Sequence, residues 1–456
     1  MRWDVIILGA GQTGAPLSAR LAEAGKRVLL VERKYVGGTC ANYGCTPTKT
    51  LIASARAAHV ARTSAPLGIH VDEVRVDFAA VIERKDAMVR RWREGVEQRL
   101  ARAGEGLHIC RGHGRFVGER ALEVDGERHE ADAVVIDVGA RPAVPPVPGL
   151  DGLPWLDNAS LMELRELPEH LLVLGGGYIG CELGQAYGRF GAEVTIVDRA
   201  DHLLAREDAE TSEVVEDVFR GEGIRLHLGV SVDEIRRSAA GIEIRTSSGE
   251  RLAGSHLLVA VGRRPNTDDM GHEAGGIELD ERGFIRTDGQ YRTSAAGVYA
   301  AGDVTGGPQF THTAWDDHRR LYDLLLGRSA AGRDGRVIPR ATFTDPQVAG
   351  VGMTEREARE AGIDYEAASF PFGHIARAIE TGETAGLLKV LLDPDRDRVL
   401  GATIVGVEAA ELIHLFVGLM SADTSPRALV DAQFVHPAFA EGVQSLLMKL
   451  DRYALE

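Results

Sequence analysis

The sequence predicts an α/β protein with two Rossmann-like dinucleotide-binding domains and a C-terminal α+β segment. Three observations predict it. A short apolar run, Asp4 to Leu8, leads into Gly9-Ala10-Gly11-Gln12-Thr13-Gly14, a helical pattern to Ala24, and a second strand, Val28 to Val31, closed by Glu32. The same plan returns as Leu171 to Leu174, then Gly175-Gly176-Gly177-Tyr178-Ile179-Gly180, a helix to Phe190, and Val194 to Val197 with Asp198. The last glycine precedes the acid by eighteen positions in both, from Gly14 to Glu32 and from Gly180 to Asp198. From about Val337 strands and helices alternate with no glycine fingerprint.

A lone G-x-G-x-x-G says little, but strand, glycines, helix, strand and a terminal acid together are specific. Glycines let the backbone approach a pyrophosphate at the helix N-terminus, and the acid can hold ribose hydroxyls. Two such units imply two dinucleotides. In the second, Asp198 stands where a ribose 2′-hydroxyl would sit, which favours NADH, whereas Arg199 beside it could pair with the 2′-phosphate of NADPH. The two signals oppose each other, and the carboxylate tips the expectation toward NADH. Cys181 reads as a packed helix residue.

Composition bounds the rest. A length of 456 residues predicts roughly three domains. Charged residues at 26% and hydrophobic ones at 44% are ordinary for a globular chain with a sizeable core. A net charge of −16 argues against nucleic-acid and anionic-membrane partners. No apolar run approaches the ~20 residues of a spanning helix. The chain enters a strand at Val5 with no basic leader, so a cytoplasmic protein is expected.

The chemistry-bearing stretch is Gly37-Gly38-Thr39-Cys40-Ala41-Asn42-Tyr43-Gly44-Cys45-Thr46-Pro47-Thr48-Lys49. Two cysteines lie between glycines, just before a helical segment, Leu51 to Ala61. A chain reversal there could bring their Cα atoms within the roughly 4.4–6.8 Å that a disulfide requires. A helix start favours thiolate over thiol, and such a pair can cycle between disulfide and dithiol. With four cysteines in the whole chain and no secretion signal, a structural cross-link is the weaker reading. No second ligand pair follows at short spacing, so no metal site is expected. Residues 80–103 read as an Arg-rich amphipathic helix with Met88, Trp92, Val96 and Leu100 as its apolar stripe, and Cys110 as a buried structural cysteine. Pro142, Pro145, Pro146 and Pro148 mark a stiff linker.

The thirteen residues from Gly37 to Lys49 closely resemble the active-site motif of the class I pyridine nucleotide-disulfide oxidoreductases, the family of dihydrolipoamide dehydrogenase, glutathione reductase and mercuric reductase. Further matches extend the resemblance from about residue 4 to about residue 446. They include the turn around Gly114, Gly139, the stretch Gly262-Arg263-Arg264-Pro265-Asn266, Thr293 to Val304 with Asp303, Thr311 to Ala314, and His436-Pro437-Ala438-Phe439-Ala440-Glu441. Two positions depart from pattern: Asp137-Val138-Gly139 stands where Ala-Thr-Gly is common, and Ala438 replaces a threonine.

The resemblance implies FAD at the first fingerprint, held by Gly9, Gly11, Gly14 and Glu32 with Gly38, Thr39, Gly114, Gly139, Gly262 and Asp303. It implies NADH or NADPH at the second, held by Gly175, Gly177, Tyr178, Gly180, Asp198 and Arg199. Hydride would pass from nicotinamide to flavin and on to a Cys40–Cys45 disulfide. Cys45 would be the thiol next to the flavin and Cys40 the interchange thiol. Lys49 would lie beside the flavin and pair with Glu182. His436, oriented by Glu441, would act on the disulfide of the other subunit, so a homodimer is implied. The implied layout is residues 1–148 and 269–336 for FAD, 149–268 for NAD(P), and 337–456 for dimerisation. The implied substrate is a small disulfide. The alternative is a metal ion, as in mercuric or copper reductases. Residues 442–456 carry no cysteine and no metal-binding segment precedes residue 1, which disfavours a dedicated mercury enzyme.

Overall fold

The computed structural model describes residues 1–239, 241–329 and 332–454. The chain divides into two compact units: residues 1–50, 82–143 and 262–335, and residues 51–81, 144–261 and 336–456.

The first unit is built on a seven-stranded sheet in the order Leu107–Arg111, Val28–Glu32, Arg2–Leu8, Glu127–Ile136, Ala121–Val124, Gly114–Gly118, with Val298–Ala300 also pairing Glu127–Ile136. The four strands from Leu107–Arg111 to Glu127–Ile136 run parallel, as does Val298–Ala300, while Ala121–Val124 and Gly114–Gly118 close the sheet as an antiparallel meander. Parallel strands are covered on both faces and so read as unbroken apolar runs, and Val5, Ile6, Ile7 and Leu8 are all buried. Ile7, Leu17, Leu21, Leu30 and Val135 pack on one face, and Ile6, Leu29, Phe116, Leu122 and Val134 on the other. Each such side chain contributes ~1.5–3 kcal/mol when fully buried. A short ladder pairs Ala140–Pro142 with Arg263–Pro265.

In the second unit a parallel four-stranded sheet runs Arg225–His227, Glu193–Val197, His170–Leu174, His256–Val259. A three-stranded antiparallel sheet follows between Val232 and Gly254. A five-stranded antiparallel sheet runs Pro339–Thr342, Gln347–Gly352, Arg398–Gly406, Leu387–Asp393, Glu366–Pro371, and its core includes Phe372, Leu388, Val390, Ile404, Phe416 and Leu446. Its helix Glu355–Glu360 starts in a capping box, Thr354 and Glu357 each bonding the other's backbone amide.

Two local expectations are corrected. The helix after the cysteines spans Cys45–Arg62 and begins at Cys45 itself, not at Leu51. Pro47 is no obstacle, because the first helical turn needs no amide donor there. In the helix Phe78–Arg102, Trp92 is 55% exposed, and the buried positions include Ile82, Lys85, Val89 and Leu100. Steps of four residues drift about 40° each around a helix of 3.6 residues per turn. A stripe from Met88 to Leu100 at that spacing therefore cannot stay on one face.

Candidate functional site

The two glycine loops share one backbone geometry. Gly9 and Gly175 both have positive φ, +103° and +112°. A Cβ on Gly14 would lie 2.0 Å from the Gly9 carbonyl oxygen, and one on Gly180 would lie 1.9 Å from that of Gly175. Only glycine lets the helices Gly14–Glu23 and Tyr178–Phe190 start so close to their strands. Glu32 accepts from the amides of Ala10 (2.9 Å) and Lys34 (2.7 Å). Asp198 likewise accepts from Gly176 (2.5 Å) and Ala200 (2.8 Å). Each acid is thus fixed at its strand end, beside the loop. Arg199 follows Asp198, and Tyr178 opens its helix half-open to solvent. Gly177 precedes it as the cap residue.

Around the first loop stand the other residues expected to hold FAD. Gly38 has φ +59°, and a Cβ there would press to 2.8 Å of the Gly11 Cα. Thr39 and Cys40 follow it in the short helix Gly38–Asn42. Gly114 opens a strand where a Cβ would meet Leu8 at 2.5 Å. Gly139 and Gly262 have positive φ, +67° and +136°, and their backbones flank the ladder of Ala140–Pro142 with Arg263–Pro265. Asp303 is paired with Arg263 at 3.6 Å. Burial raises its carboxyl, and Arg263 opposes that rise. A bare backbone cradle, a helix start and an anchored carboxylate at its far side are the donor set a dinucleotide needs, so these residues fit FAD.

The cysteines come together as the spacing requires. Cys40 sits in Gly38–Asn42 and Cys45 is the first residue of Cys45–Arg62. Both are free thiols. The Cys40 proton is held in place by its hydrogen bond with the Cys45 sulfur, then by burial and by negative charge on Cys45, so its thiol is raised far above the ordinary range. The Thr311 hydroxyl lies 3.1 Å from the Cys45 sulfur and also favours the Cys40 thiolate. Lys49 acts on Cys40 in the same direction through its charge. Asn42 bonds back to the carbonyls of Val36 (3.0 Å) and Gly38 (2.9 Å), and Arg93 reaches its side-chain oxygen at 2.9 Å. That fixes the loop between the two sulfurs.

In the second unit, Glu182, Gln185 and Arg189 share one face of Tyr178–Phe190 and grip residues 343–345. The Glu182 carboxylate accepts from the Phe343 amide at 2.8 Å, and Gln185 from Asp345 at 2.8 Å. Asp345 bonds both Arg189 and Arg56 at 2.7 Å. Burial would raise its carboxyl, but the two guanidinium groups hold it below its ordinary value. His436 and Glu441 meet as the motif predicts: Nδ1 is 2.9 Å from a Glu441 oxygen, and the other oxygen accepts from the Ala438 amide at 2.8 Å. The Ala438 amide first, and His436 second, hold the Glu441 carboxyl below its ordinary value. The His436 side chain is 70% exposed. Cys181 is buried and bonds the Gly176 carbonyl. Cys110 is half-buried in Leu107–Arg111 rather than enclosed. Among the described residues, one acidic trio, Asp208, Glu210 and Glu355, comes within metal-binding reach. The Lys389 ammonium bonds all three, at 3.2, 2.6 and 2.5 Å.

This arrangement matches known proteins over nearly the whole chain. Residues 3–317 match the model of the pyridine nucleotide-disulphide oxidoreductases, and residues 338–447 match that of their dimerisation domain. The chain belongs to the class I pyridine nucleotide-disulphide oxidoreductases. It is an FAD-dependent oxidoreductase that uses NAD(P)H. Among its relatives is the probable pyridine nucleotide-disulfide oxidoreductase RclA of Escherichia coli, 34% identical, the match covering 98% of both chains. The dihydrolipoyl dehydrogenase of Thermus scotoductus is also 34% identical, over 99% of this chain and 98% of its own. The mercuric reductase of Staphylococcus aureus is 32% identical, over 99% of this chain and 83% of its own. The solved structure of the HOCl-induced flavoprotein disulfide reductase RclA from Escherichia coli superposes with a TM-score of 0.90, at 34% identity, over 98% of this chain and 100% of that one. A Cu(II) complex of the same protein superposes with a TM-score of 0.89 at 34% identity, over 98% and 99%.

The motifs did not point to the Thr311 hydroxyl beside the sulfurs, or to Asp317. The latter accepts from the Gly302 amide (3.0 Å) and the Tyr291 hydroxyl (3.0 Å), fixing the turn that carries Asp303. The Thr311 contact spans 266 positions, and those of Asp317 span 15 and 26. The only local sign was the position of Thr311 at a helix start.

Proposed function

We propose that the chain reduces a small disulfide substrate with electrons from NADH, through the Cys40–Cys45 pair. The observation that carries this reading is the pair itself: two hydrogen-bonded thiols, one opening an eighteen-residue helix, with a hydroxyl 3.1 Å from it. FAD, when bound, supplies the two-electron relay between nicotinamide and sulfur. The remaining steps belong to the chain's own side chains.

Cys45 is the sulfur that carries the pair's first negative charge, with the Cys40 proton held chiefly by its hydrogen bond to the Cys45 sulfur. The helix start and Thr311 stabilise that charge. Cys40 is the sulfur that attacks substrate: it forms a mixed disulfide, and Cys45 then displaces the product thiol as the internal disulfide closes. Lys49 sets a positive charge that favours the Cys40 thiolate, and Glu182 is held by its bond from the Phe343 amide. His436, supplied by the partner subunit of a homodimer, takes the Cys40 proton and returns it to the leaving thiol. Its exposure, with one ring nitrogen already engaged by Glu441, leaves the other free for that work. Because the Glu441 carboxyl is depressed, the orienting charge is present above the usual carboxylate range and is lost only as pH falls through the lowered value. Asp198, fixed by two backbone amides, disfavours a 2′-phosphate and gives the preference for NADH. Residues 149–268 would then hold the nicotinamide nucleotide and 337–456 the dimer contact. A cytoplasmic setting, which keeps thiols reduced, suits this cycle.

A metal ion is the second reading, favoured by the mercuric reductases among the relatives and by the Cu(II) complex of RclA. Turnover with low-molecular-weight disulfides, Hg(II) and Cu(II) side by side decides between them. The disulfide reading expects NADH oxidation with a disulfide that is lost in both Cys40→Ser and Cys45→Ser. His436→Ala should slow that turnover by ~10²–10⁴-fold and leave reduction of the flavin by NADH unchanged. Mixing Cys40→Ser with His436→Ala subunits should restore activity in heterodimers. Turnover with metal ions alone, or a fully active monomer, would overturn it.

A further inference from the structure

The first nucleotide loop contains a group that its counterpart lacks. Asp137 follows the strand Glu127–Ile136, bonds its own amide to the Leu8 carbonyl (2.8 Å), and lies under the loop Gly9–Gly14. Ala260 follows His256–Val259 and bonds the Leu174 carbonyl at the same 2.8 Å, under Gly175–Gly180. The two positions are equivalent, since Cβ atoms on Gly9 and Gly175 would meet the carbonyls of Asp137 (2.2 Å) and Ala260 (2.6 Å). One offers a methyl group and the other a carboxyl. One Asp137 oxygen accepts from the amides of Gly14 (2.7 Å) and Thr13 (3.2 Å), the donors at the start of Gly14–Glu23. A Cβ on Gly11 would touch that same oxygen at 2.6 Å, and one on Gly302 would reach the other at 2.9 Å. The side chain therefore lies between the pyrophosphate cradle and the turn that carries Asp303.

We propose that Asp137 couples FAD binding to proton uptake: the cofactor's pyrophosphate and an ionised Asp137 carboxylate compete for the same helix start, so the bound state holds Asp137 as the neutral acid. This rests on the reading of Gly9–Gly14 as the FAD loop. The groups facing Asp137 are mostly acidic. Asp303 approaches from the turn at Gly302, and Asp317 from the helix Thr311–Leu325. Arg263 is engaged with Asp303, and the Tyr291 hydroxyl with Asp317. Burial, with Asp303 and Asp317 adding to it, raises the Asp137 carboxyl well above its ordinary value, against the pull of the Gly14 and Thr13 amides. A bound pyrophosphate adds negative charge and raises it further. The acid form therefore prevails over a wider pH range with FAD bound than without it. Affinity is then highest at low pH and falls as pH rises from the free protein's Asp137 pKa to that of the complex.

The test is FAD binding to the full chain, stripped and reloaded, across about pH 5 to about pH 9, for wild type and Asp137→Asn. Asparagine keeps the shape and the acceptor oxygen but cannot ionise. The wild-type dissociation constant should rise by about tenfold or more over that range, one pKa unit being tenfold, while that of D137N stays flat and is the lower of the two at the alkaline end. Calorimetry of wild type in buffers of different ionisation heat gives the protons taken up per FAD without any variant, and a value approaching one is expected in the sloping region. Parallel pH profiles for the two proteins, or no proton uptake by wild type, would overturn the proposal. A chain that takes up no FAD at any pH would instead refute the functional reading, and this proposal with it.

Discussion

The two nucleotide loops are one design used twice, and their differences are easier to interpret than either loop alone. In both, the strand's carbonyl row continues into the first glycine: the Gly9 amide bonds the Val31 carbonyl at 2.8 Å, and the Gly175 amide that of Val197 at 2.9 Å. In both, an acid at the end of the second strand accepts the amide one residue past that glycine. Such repetition shows what the backbone requires of any dinucleotide loop. What is not repeated is the side chain at two positions: Glu32 against Asp198 at the strand end, and Asp137 against Ala260 under the helix start. The cysteine pair lies beside the first loop, and a Cβ on Gly38, two residues before Cys40, would press on Gly11.

The largest effect should come from breaking one loop and sparing the other. Gly14→Ala would place a methyl 2.0 Å from the Gly9 carbonyl oxygen, and Gly180→Ala one 1.9 Å from that of Gly175. Neither backbone can yield without opening the loop, and overpacking of this kind costs at least ~1–3 kcal/mol. Gly14→Ala should give a colourless protein with FAD affinity reduced by about a hundredfold or more. Gly180→Ala should stay yellow and be reduced by dithionite, yet lose reduction by NADH to a similar extent. If both variants lose the flavin, the loops are not independent binding sites.

A smaller change should separate the two acids. Asp198→Ala removes a negative charge from the ribose end of the second loop, and the ratio of NADPH to NADH turnover should rise by about tenfold, equivalent to ~1.4 kcal/mol. Glu32→Ala should weaken FAD without altering that ratio. A wild-type enzyme that already prefers NADPH strongly would mean that Arg199 dominates the contact, and the assignment of Asp198 would fall.

Much of this was legible before any coordinates. Strand, glycine loop, helix and terminal acid are local in sequence, and their spacing follows from backbone geometry, so both units could be placed within a residue or two. The thirteen residues around Cys40 and Cys45 were equally plain, whereas the His436–Glu441 pair was legible only through the family resemblance. What sequence could not supply depended on contacts between distant segments. Thr311 reaches Cys45 across 266 positions, and Asp137 reaches Gly14 across 123. Asp137 was visible only as a departure from pattern, because its meaning depends on the loop packed above it. Trp92 misled because apolar spacing of four looks helical, whereas burial follows the drift of 3.6 residues per turn.

The finest test of the comparison is to build the difference into the loop that lacks it. Ala260→Asp places a carboxyl under the start of Tyr178–Phe190, where Asp137 stands under Gly14–Glu23. Gly177 has open space around its would-be Cβ, whereas the equivalent Gly11 faces the Asp137 oxygen, so the second loop has room for the new side chain. Ala260 is itself only half-buried, so the substituted acid should titrate nearer its ordinary range than Asp137 does. At neutral pH it would be a carboxylate competing with the nicotinamide nucleotide's pyrophosphate. The Michaelis constant for NADH should therefore rise several-fold, by ~1 kcal/mol for a partly exposed charge beside a helix end, with maximal turnover preserved. The penalty should shrink as pH falls and the new acid is protonated. FAD content, set by the other loop, should not change. An NADH constant that rises equally in Ala260→Asn would show that bulk rather than charge is responsible, and the electrostatic account of the difference between the loops would fail.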